Sequence, residues 1–504
     1  MLFRSEVVTP GAALYEKLLE NKKNNFIASV VLAPAFKGRV NAGIAFADIS
    51  TGEFFVAESD SADIVRTLET INPSEILVNK QQKLEISGLL KKMSYEIPVA
   101  RLEDWIFDIE FGREAILGHF GTKSLKGYGI EDLTIGMAAA GAILYYINET
   151  QKTQLSHIRK ISAYNTSDYM FLDYATRRNL EITFSNSGNA KEGSLIGILD
   201  KTCTPMGGRN LKKWIAQPLT NLEKINQRLQ AVKAMAGNTS GRAALRLVLS
   251  GFGDLERLIQ KVCTGRANPR DIVYLKNSLS LAPDLVKNLE PYNLPALSRI
   301  ASKINPLPDI ISLIDSALLD DPSTALGSGN AFRKGFSPEL DEYTYAKASG
   351  KKMLEEMQES ERQKTGISSL KISYNNVFGY YIEVTNIHKN KVPDYYNRKQ
   401  TLSNAERYTT PELKDFESKI LNAEEKISEI EQQLFAQLRA KVAEFTVQIQ
   451  ENAALIAMVD CLQSYAEASA LYNYTEPLID NSSILEISGG RHPVVERLDR
   501  KSVV

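Results

Sequence analysis

The chain has 504 residues, a length that predicts several domains, and its nearly equal numbers of basic and acidic residues give a net charge of −1. Its content of 43% hydrophobic and 24% charged residues is typical of globular proteins and excludes a disordered chain. Any basic surface must therefore be local, so total charge argues neither for nor against nucleic acid. No apolar run reaches the roughly 18 residues that span a bilayer, and no signal-peptide core is present, which predicts a cytoplasmic protein without a membrane partner.

The first 120 residues predict a small α/β domain. Strand patterns occupy 26–32, 40–49, 53–57 and 75–78. Ser50-Thr51-Gly52 suits a hairpin turn between the second and third of these strands. A helical pattern follows at 61–71, with Ser61 as its expected cap. This order of strands and helix favours a mixed α/β domain that ends near residue 120.

From about residue 134 onward the pattern is that of helices. Apolar residues at helical spacing occupy 137–147, 194–217, 222–235, 253–262, 271–281 and 296–304. Several prolines at 291–322 predict short helices, and the glycines of 325–335 predict a loop. A longer helix is expected at 337–361, with Ser337 as the N-cap and Pro338 in the first turn.

A small β insertion interrupts this helical pattern. Leu370–Tyr374 and Val377–Thr385 alternate as strands do, with turn residues between them. The sixty-five residues between Pro411 and Pro477 contain no glycine or proline and carry an apolar stripe at helical spacing. Such a helix would extend roughly 95 Å if it were unbroken. It would hold the β insertion far from the rest of the chain.

The insertion carries a cationic segment at 387–403. Its basic residues are Lys389, Lys391, Arg398 and Lys399, and Gln400 and the tyrosines 395 and 396 lie among them. Asp394 is its one acid, so the segment has a charge of +3 apart from His388. Such a mixture suits contacts with DNA phosphates that fix position without reading sequence. A merely solvated surface fits the composition equally well, but the position at the end of a long arm favours DNA.

Catalytic alternatives have weaker support. Asp48 ends a predicted strand, where a ribonuclease-H-type nuclease would hold its first metal ligand. The acids that follow, Glu53, Asp60 and Asp63, fall in a turn and a helix start, which acids favour anyway.

Gly350-Lys351-Lys352 is not a P-loop, and the four histidines are far apart. Cys203, Cys263 and Cys461 have no CxxC spacing, which predicts reduced, buried thiols. We therefore predict no catalytic, cofactor or metal site in this chain.

Several long blocks resemble one family, the bacterial DNA mismatch repair protein MutS. They are Phe171–Ile182, Thr204–Arg209, Asp254–Arg257, Gly265-Arg266, Asn375–Tyr381, Gln400–Leu402, Asn404–Tyr408 and Gly490–Glu496. They occur in the family's order and cover essentially the whole chain. The resemblance implies a multidomain α+β fold, with a ribonuclease-H-like connector without catalysis, a helical lever core and a clamp inserted between long helices.

The resemblance also implies a division of the chain. The connector would occupy 1–120, the lever 121–345 and 411–480, the clamp 346–410, and the start of an ATPase domain 481–504. The family's mismatch-binding domain and the rest of its ATPase domain, with ATP and magnesium, are expected to lie outside this chain. We therefore expect no ATPase activity here.

Partners and residue roles follow from the same resemblance. The family acts on double-stranded DNA as a dimer, together with a MutL-type protein, and its levers transmit the ATP state to the clamps. Phosphate contacts would fall on Lys389, Lys391, Arg398, Lys399 and Gln400. Arg407 would either pair with Glu412 or Glu383 or contact phosphate. A MutS relative that serves recombination, a nuclease and a helical scaffold without DNA affinity stay open as alternatives.

Overall fold

The computed structural model describes residues 9–14, 19–34, 41–91, 93, 95–151, 155–165, 169–185, 193–375, 377 and 379–498. They form two compact units. The first unit contains the described residues up to 267 together with 274–308 and those from 442 on, and the second contains 268–273 and 309–441. Asn376 and Phe378, which belong to one of the blocks that carry the family resemblance, lie outside the described residues.

The first unit begins with a six-stranded sheet. Its strands are β1 (Phe26–Leu32), β2 (Asn41–Asp48), β3 (Glu53–Asp60), β4 (Glu75–Asn79), β5 (Val99–Leu102) and β6 (Ser162–Ala163). In space they follow the order β5-β4-β1-β2-β3-β6. The strands β1 to β3 form an antiparallel meander, whereas β4 runs parallel to β1 and β5 parallel to β4. This is the ribonuclease-H-like arrangement that the family resemblance implied.

Four helices accompany this sheet. They are α1 (Ser61–Ile71), α2 (Lys83–Leu90), α3 (Ile109–Phe120) and α4 (Thr134–Gln151). The helix at 61–71 has the predicted bounds, but its cap is Asp60 and not Ser61. The Asp60 carboxylate accepts the N–H groups of Ala62 and Asp63 at 3.0 and 2.9 Å, which a serine one residue later does not do.

The sheet domain continues beyond residue 120, its predicted end, because α4 packs against the sheet. The alanines of α4 are buried in one apolar cluster with β1 to β3. Glycines allow this close packing, because a Cβ at Gly43 would meet the backbone of Ile135 and Gly136. Alanine content marks α4 as a helix but does not indicate which layer it packs against.

The rest of the first unit is helical. Its helices are α5 (Tyr174–Asn179), α6 (Leu195–Leu199), α7 (Pro205–Ala216), α8 (Leu222–Gly237), α9 (Thr239–Ser250), α10 (Leu255–Cys263), most of α11 (Pro269–Leu279), α12 (Ala282–Leu289) and α13 (Pro295–Lys303). The single helix predicted at 194–217 is divided into α6 and α7. Pro205 begins α7 and Thr204 caps it, since its hydroxyl accepts the Gly207 N–H at 2.9 Å.

The second unit contains long helices and a small antiparallel sheet. Its elements are α14 (Pro308–Ala317), α15 (Pro338–Thr365), β7 (Lys371–Asn375), β8 (Gly379–Thr385), β9 (Asn397–Thr401), β10 (Ala405–Thr409) and α16 (Pro411–Ala443). The sheet order is β7-β8-β10-β9. Ser337 caps α15 as predicted, because its hydroxyl accepts the Leu340 N–H at 3.3 Å.

The long run after Pro411 forms two helices instead of one. The helix α16 ends at Ala443, and α17 (Thr446–Tyr472) follows in the first unit, with the short α18 (Val495–Leu498) beyond it. At the break, Phe445 N–H donates to Val442 O at 3.1 Å and the Thr446 hydroxyl donates to Ala443 O at 2.6 Å. The turn is therefore tightened without a glycine or proline. The 33 residues of α16 extend about 50 Å.

Two further sequence predictions concern hydropathy and thiols. Among the described helices, none is long and apolar enough to cross a membrane. All three cysteines are free thiols. Cys461 is buried as predicted, whereas Cys203 and Cys263 are only partly buried.

Candidate nucleic-acid interface

The sheet of the second unit has two chemically different faces, because successive residues of a strand point to opposite sides. On one face, Ile382, Val384 and Tyr408 are buried in an apolar cluster with residues of α15 and α16. On the other face lie Glu383 and Arg407, which are register partners across β8 and β10. The residues of the predicted site are divided between these two faces, with Lys389 and Arg398 beside Glu406 and Gln400 beside Arg407.

A buried carboxylate gathers two of the predicted cations at the edge of the apolar face. Glu406, the second residue of β10, exposes only 3% of its side chain. Its Oε1 lies 2.6 Å from Lys389 Nζ and 3.6 Å from an Arg398 terminal nitrogen, while its Oε2 accepts the Tyr408 hydroxyl. We call these four residues the Glu406 cluster. Lys389 comes from the short 3-10 helix Asn386–Lys391 and Arg398 from β9, so the cluster joins separate elements.

The cluster is charged and half open to solvent. The Lys389 ammonium, followed by the Tyr408 hydroxyl, lowers the pKa of Glu406, although burial acts in the opposite direction. Burial and the neighbouring carboxylate raise the pKa of Tyr408 to about 12, so the phenol stays protonated and donates. Lys389 and Arg398 keep 54% and 58% of their side chains exposed. One carboxylate therefore faces two cations, and a net positive charge is left at the surface.

On the opposite face, Arg407 is engaged by its neighbours. Its guanidinium lies 4.2 Å from the centre of the Tyr381 ring. Its Nε donates to Glu383 Oε2 at 3.2 Å, and a terminal nitrogen donates to Gln400 Oε1 at 2.9 Å. Of the two acids considered for Arg407, the structure therefore pairs it with Glu383. Gln400 therefore contacts Arg407 and is not a member of the Glu406 cluster.

A bulge explains why neighbouring site residues lie on different faces. Arg407 is opposite Gln400 and Tyr408 is opposite Arg398, so Lys399 is an extra residue without a register partner. In a regular strand, Arg398 and Gln400 would share a face. The extra residue reverses this relation and turns Arg398 toward Glu406. The half-buried Lys399 is also engaged by protein groups.

The segment between the two cations is fixed to α15. Tyr395 and Tyr396 both donate to Glu361 Oε2, at 2.9 and 2.7 Å, and Lys364 donates to Glu361 Oε1 at 2.8 Å. These bonds lower the pKa of Glu361 against the effect of its burial. The tyrosines predicted to lie between the charges thus anchor the segment. Lys391 is exposed at the end of the 3-10 helix and has no acidic partner among the described residues.

The structure thus separates the five predicted residues. Lys389 and Arg398 come together, Lys391 is exposed nearby, Lys399 occupies the bulge and Gln400 binds Arg407. Sequence reasoning missed Glu406 and Tyr408 as members of the site. Their alternation in β10 was a usable signal, because it places residues 406 and 408 on the face opposite Arg407.

Asp48, the residue considered for nuclease chemistry, is fully buried and bonded to the protein. Its Oδ2 accepts Asn24 Nδ2 at 2.9 Å and Asn25 N–H at 3.0 Å, and its Oδ1 accepts Ser50 N–H and Oγ at 2.9 and 2.7 Å. Within the part of the chain that the structure describes, no three His, Cys, Asp or Glu side chains are grouped to hold a metal. The geometry favours a structural role for Asp48 at the β2–β3 turn.

A cavity of about 860 Å³ lies within the first unit, between the sheet and α6–α7. Its aromatic lining consists of Phe26, Phe46, Phe55, Tyr164, Tyr174 and Phe184. Two of its lysines are paired, since Lys22 Nζ lies 2.9 Å from Asp200 Oδ1 and Lys213 Nζ lies 3.0 Å from Glu53 Oε1. These two lysines are therefore less available to a polyanion than Lys389 and Arg398 of the Glu406 cluster, which keep more than half of their side chains exposed.

Comparison with known proteins links this geometry to a family. Two family models match, one described as MutS domain II over residues 25–159 and one described as MutS domain III over residues 175–466. The first match includes α4, in agreement with its packing against the sheet. A "DNA mismatch repair protein MutS" from Salinibacter ruber is 42% identical over 98% of this chain and 54% of its own length. One from Christiangramia forsetii is 43% identical over 98% of this chain and 56% of its own length.

These matches cover nearly the whole chain. A third protein of the same name, from Halothermothrix orenii, is 40% identical over 99% of this chain and 55% of its own length. The chain thus spans about half the length of the curated relatives it matches. All three relatives are named for mismatch repair, which does not favour the recombination alternative. The chain belongs to the MutS family of DNA mismatch repair proteins.

Proposed function

We propose that the second unit carries the clamp of a mismatch repair protein and binds the backbone of duplex DNA without reading its sequence. The observation that carries this proposal is the pair Lys389 and Arg398, half exposed and gathered on one buried carboxylate, with Lys391 exposed nearby. Flexible ammonium and planar guanidinium groups both suit phosphate oxygens. Contacts with phosphate oxygens fix a protein on the duplex and carry no sequence information of their own.

The remaining elements take the roles that the family implies. The first sheet with α1 to α4 would be the connector, and the long helices α16 and α17 would belong to the lever, whereas most of α15 lies in the segment 346–410 that the resemblance assigns to the clamp. A packed helix about 50 Å long is stiff enough to transmit a two-state movement to the clamp. ATP and magnesium would act in a domain outside this chain. Double-stranded DNA, a second subunit and a MutL-type protein in the cytoplasm would be the partners.

Binding of a labelled duplex at two salt concentrations tests the DNA proposal. We expect weak binding by this chain that decreases with salt, because each phosphate contact releases about 0.9 of a counterion. A perfect duplex and one with a single mismatch should bind equally. Affinity that ignores salt, or that distinguishes the mismatch, would contradict the proposal. A helical scaffold without DNA affinity would show no binding even at low salt.

Single neutralising variants locate the contacts. Lys389→Gln, Lys391→Gln and Arg398→Gln should each weaken binding and reduce the slope of log affinity against log salt by about 1. Lys352→Gln is the matched control, since Lys352 lies on α15 in the same unit, is 77% exposed and pairs with Glu356. It should leave the affinity unchanged. Equal losses in all four variants would mean that only total charge matters.

A further inference from the structure

The buried acid of the clamp calls for an explanation. A carboxylate repels a polyanion, yet Glu406 is fixed in the middle of the proposed phosphate site by its strand register, opposite Val384 and Thr401. Its side chain is 3% exposed, and both oxygens accept hydrogen bonds from groups of the same cluster. A purely attractive surface would have a neutral residue at this position.

We propose that Glu406 is a positioning residue that holds Lys389 and Arg398 in the arrangement that grips a single phosphate. This inference rests on the proposed function and assigns the geometry of that same site. Lys389 and Arg398 contact the same oxygen at 2.6 and 3.6 Å, so their nitrogens are no more than about 6 Å apart. Two donors at this separation can reach different oxygens of one phosphate group.

The positioning has a physical benefit because both cations are long and flexible. A free lysine or arginine loses much rotamer freedom when it binds a phosphate. Contact with Glu406 restricts the two side chains before DNA arrives, so less freedom is lost on binding. More than half of each cation stays exposed, which leaves donors available for the ligand. Tyr408 completes the arrangement, since its hydroxyl occupies the other carboxylate oxygen.

Two substitutions separate positioning from net charge. Glu406→Gln removes one negative charge, so electrostatics alone predicts tighter DNA binding, whereas loss of positioning predicts weaker binding. Glu406→Asp keeps the charge but withdraws the carboxylate by about one carbon–carbon bond, so electrostatics alone predicts no change. We expect both variants of the full chain to bind a labelled duplex three- to tenfold more weakly at low salt. Lys352→Gln again serves as the control.

A double-mutant cycle adds a readout that general destabilisation would not produce. In the wild-type background, Arg398→Gln should weaken binding severalfold. In the Glu406→Gln background the same substitution should cost markedly less, because Arg398 is no longer held in place. Thermal melting shows whether each variant is folded. If Glu406→Gln does not fold, the DNA affinity of Glu406→Asp still tests the positioning role.

The possible outcomes are distinct. Tighter binding by Glu406→Gln together with unchanged binding by Glu406→Asp would overturn the positioning role, while losses in Lys389→Gln and Arg398→Gln would leave the proposed function standing. If Lys389→Gln and Arg398→Gln bind as the wild type does, the phosphate site itself is wrong and the positioning role fails with it. Additive effects in the cycle would also overturn the inference.

Discussion

A single buried histidine makes the first unit sensitive to acid. His157 is completely buried, and its Nε2 lies 2.7 Å from Ile49 O, while its Nδ1 has no hydrogen-bond partner. Burial lowers the pKa of His157 to about 4, although the contact with Ile49 acts in the opposite direction. His119, whose Nε2 lies 2.9 Å from Ile158 O, also has a pKa lowered by burial. Both rings are therefore neutral in the folded protein near pH 7.

Lowering the pH should destabilise the first unit through His157. Between the unfolded pKa near 6.5 and the folded pKa near 4, the unfolded chain binds a proton that the native state does not, so the stability decreases as the pH decreases. The contribution of His157 to this loss from pH 6.5 to 5 should be about 2 kcal/mol. Both tryptophans, Trp105 and Trp214, lie in this unit, so urea denaturation followed by tryptophan fluorescence measures it.

Variants identify the residue responsible for this pH dependence. His157→Gln should remove the part of this dependence that His157 contributes, about 2 kcal/mol between pH 6.5 and 5, whatever its effect on stability at neutral pH. His388→Gln, in the second unit, should retain the wild-type dependence. An unchanged dependence in His157→Gln would show that another group titrates in this range.

At the scale of elements, the sequence pattern correctly predicted the strands and helices whose apolar residues follow a regular pattern. The bounds of β1 and α1 agree with the predicted 26–32 and 61–71, because 26–32 is an apolar run interrupted only by Ser29 and the helical spacing at 61–71 is unbroken. The strand β9 was not predicted, since Asn397–Thr401 is wholly polar and its pairing with β10 defines it. The cationic residues were found by composition, but the bulge that separates Arg398 from Gln400 depends on the partner strand. Pairing across a sheet leaves no signal in one segment alone.

The glycine-rich loop at 325–335 in the second unit is hydrogen-bonded to α16. Glu431 is completely buried, and its carboxylate accepts the N–H groups of Gly327 and Ala331, the latter at 3.2 Å. Gly327 has a φ of +102°, which other residues adopt only with strain. The loop therefore depends on one acid that is distant in sequence, and the composition of 325–335 alone predicts only irregular structure.

Replacing that acid should loosen the loop. In Glu431→Gln the amide NH2 faces one of the two backbone donors, so one hydrogen bond to a charged group is lost, at a cost of about 2 to 3 kcal/mol. Hydrogen exchange at 325–335 should increase severalfold. Glu429→Gln is the control on the same helix, because Glu429 is 52% exposed and pairs with the exposed Lys426, which predicts less than about 1 kcal/mol. Equal effects of both substitutions would contradict the role of Glu431.

For the whole molecule, the important feature is that the chain leaves the first unit and returns to it. Residues 309–441 belong to the second unit, and α17 then packs in the first unit. Asp460 of α17 is completely buried and accepts Cys203 N–H at 2.9 Å and Thr204 N–H and Oγ1 at 2.7 Å each. Burial raises the pKa of Asp460, against the effect of these bonds. One acid thus joins segments about 256 positions apart.

The two units should respond separately to their own buried acids. Asp460→Asn places an amide NH2 among backbone and hydroxyl donors, and we expect a loss of about 2 to 4 kcal/mol that is confined to the first unit. Hydrogen exchange should then increase in 200–216 and α17, whereas 309–441 of the second unit should stay protected. Glu431→Gln should give the reverse pattern, because Glu431 and Asp460 belong to different units and share no hydrogen-bond partner among the described residues. Glu451→Gln, at an exposed position of α17, is the control. If either buried substitution increased exchange equally in both units, the chain would unfold as one cooperative body and the separation would be wrong.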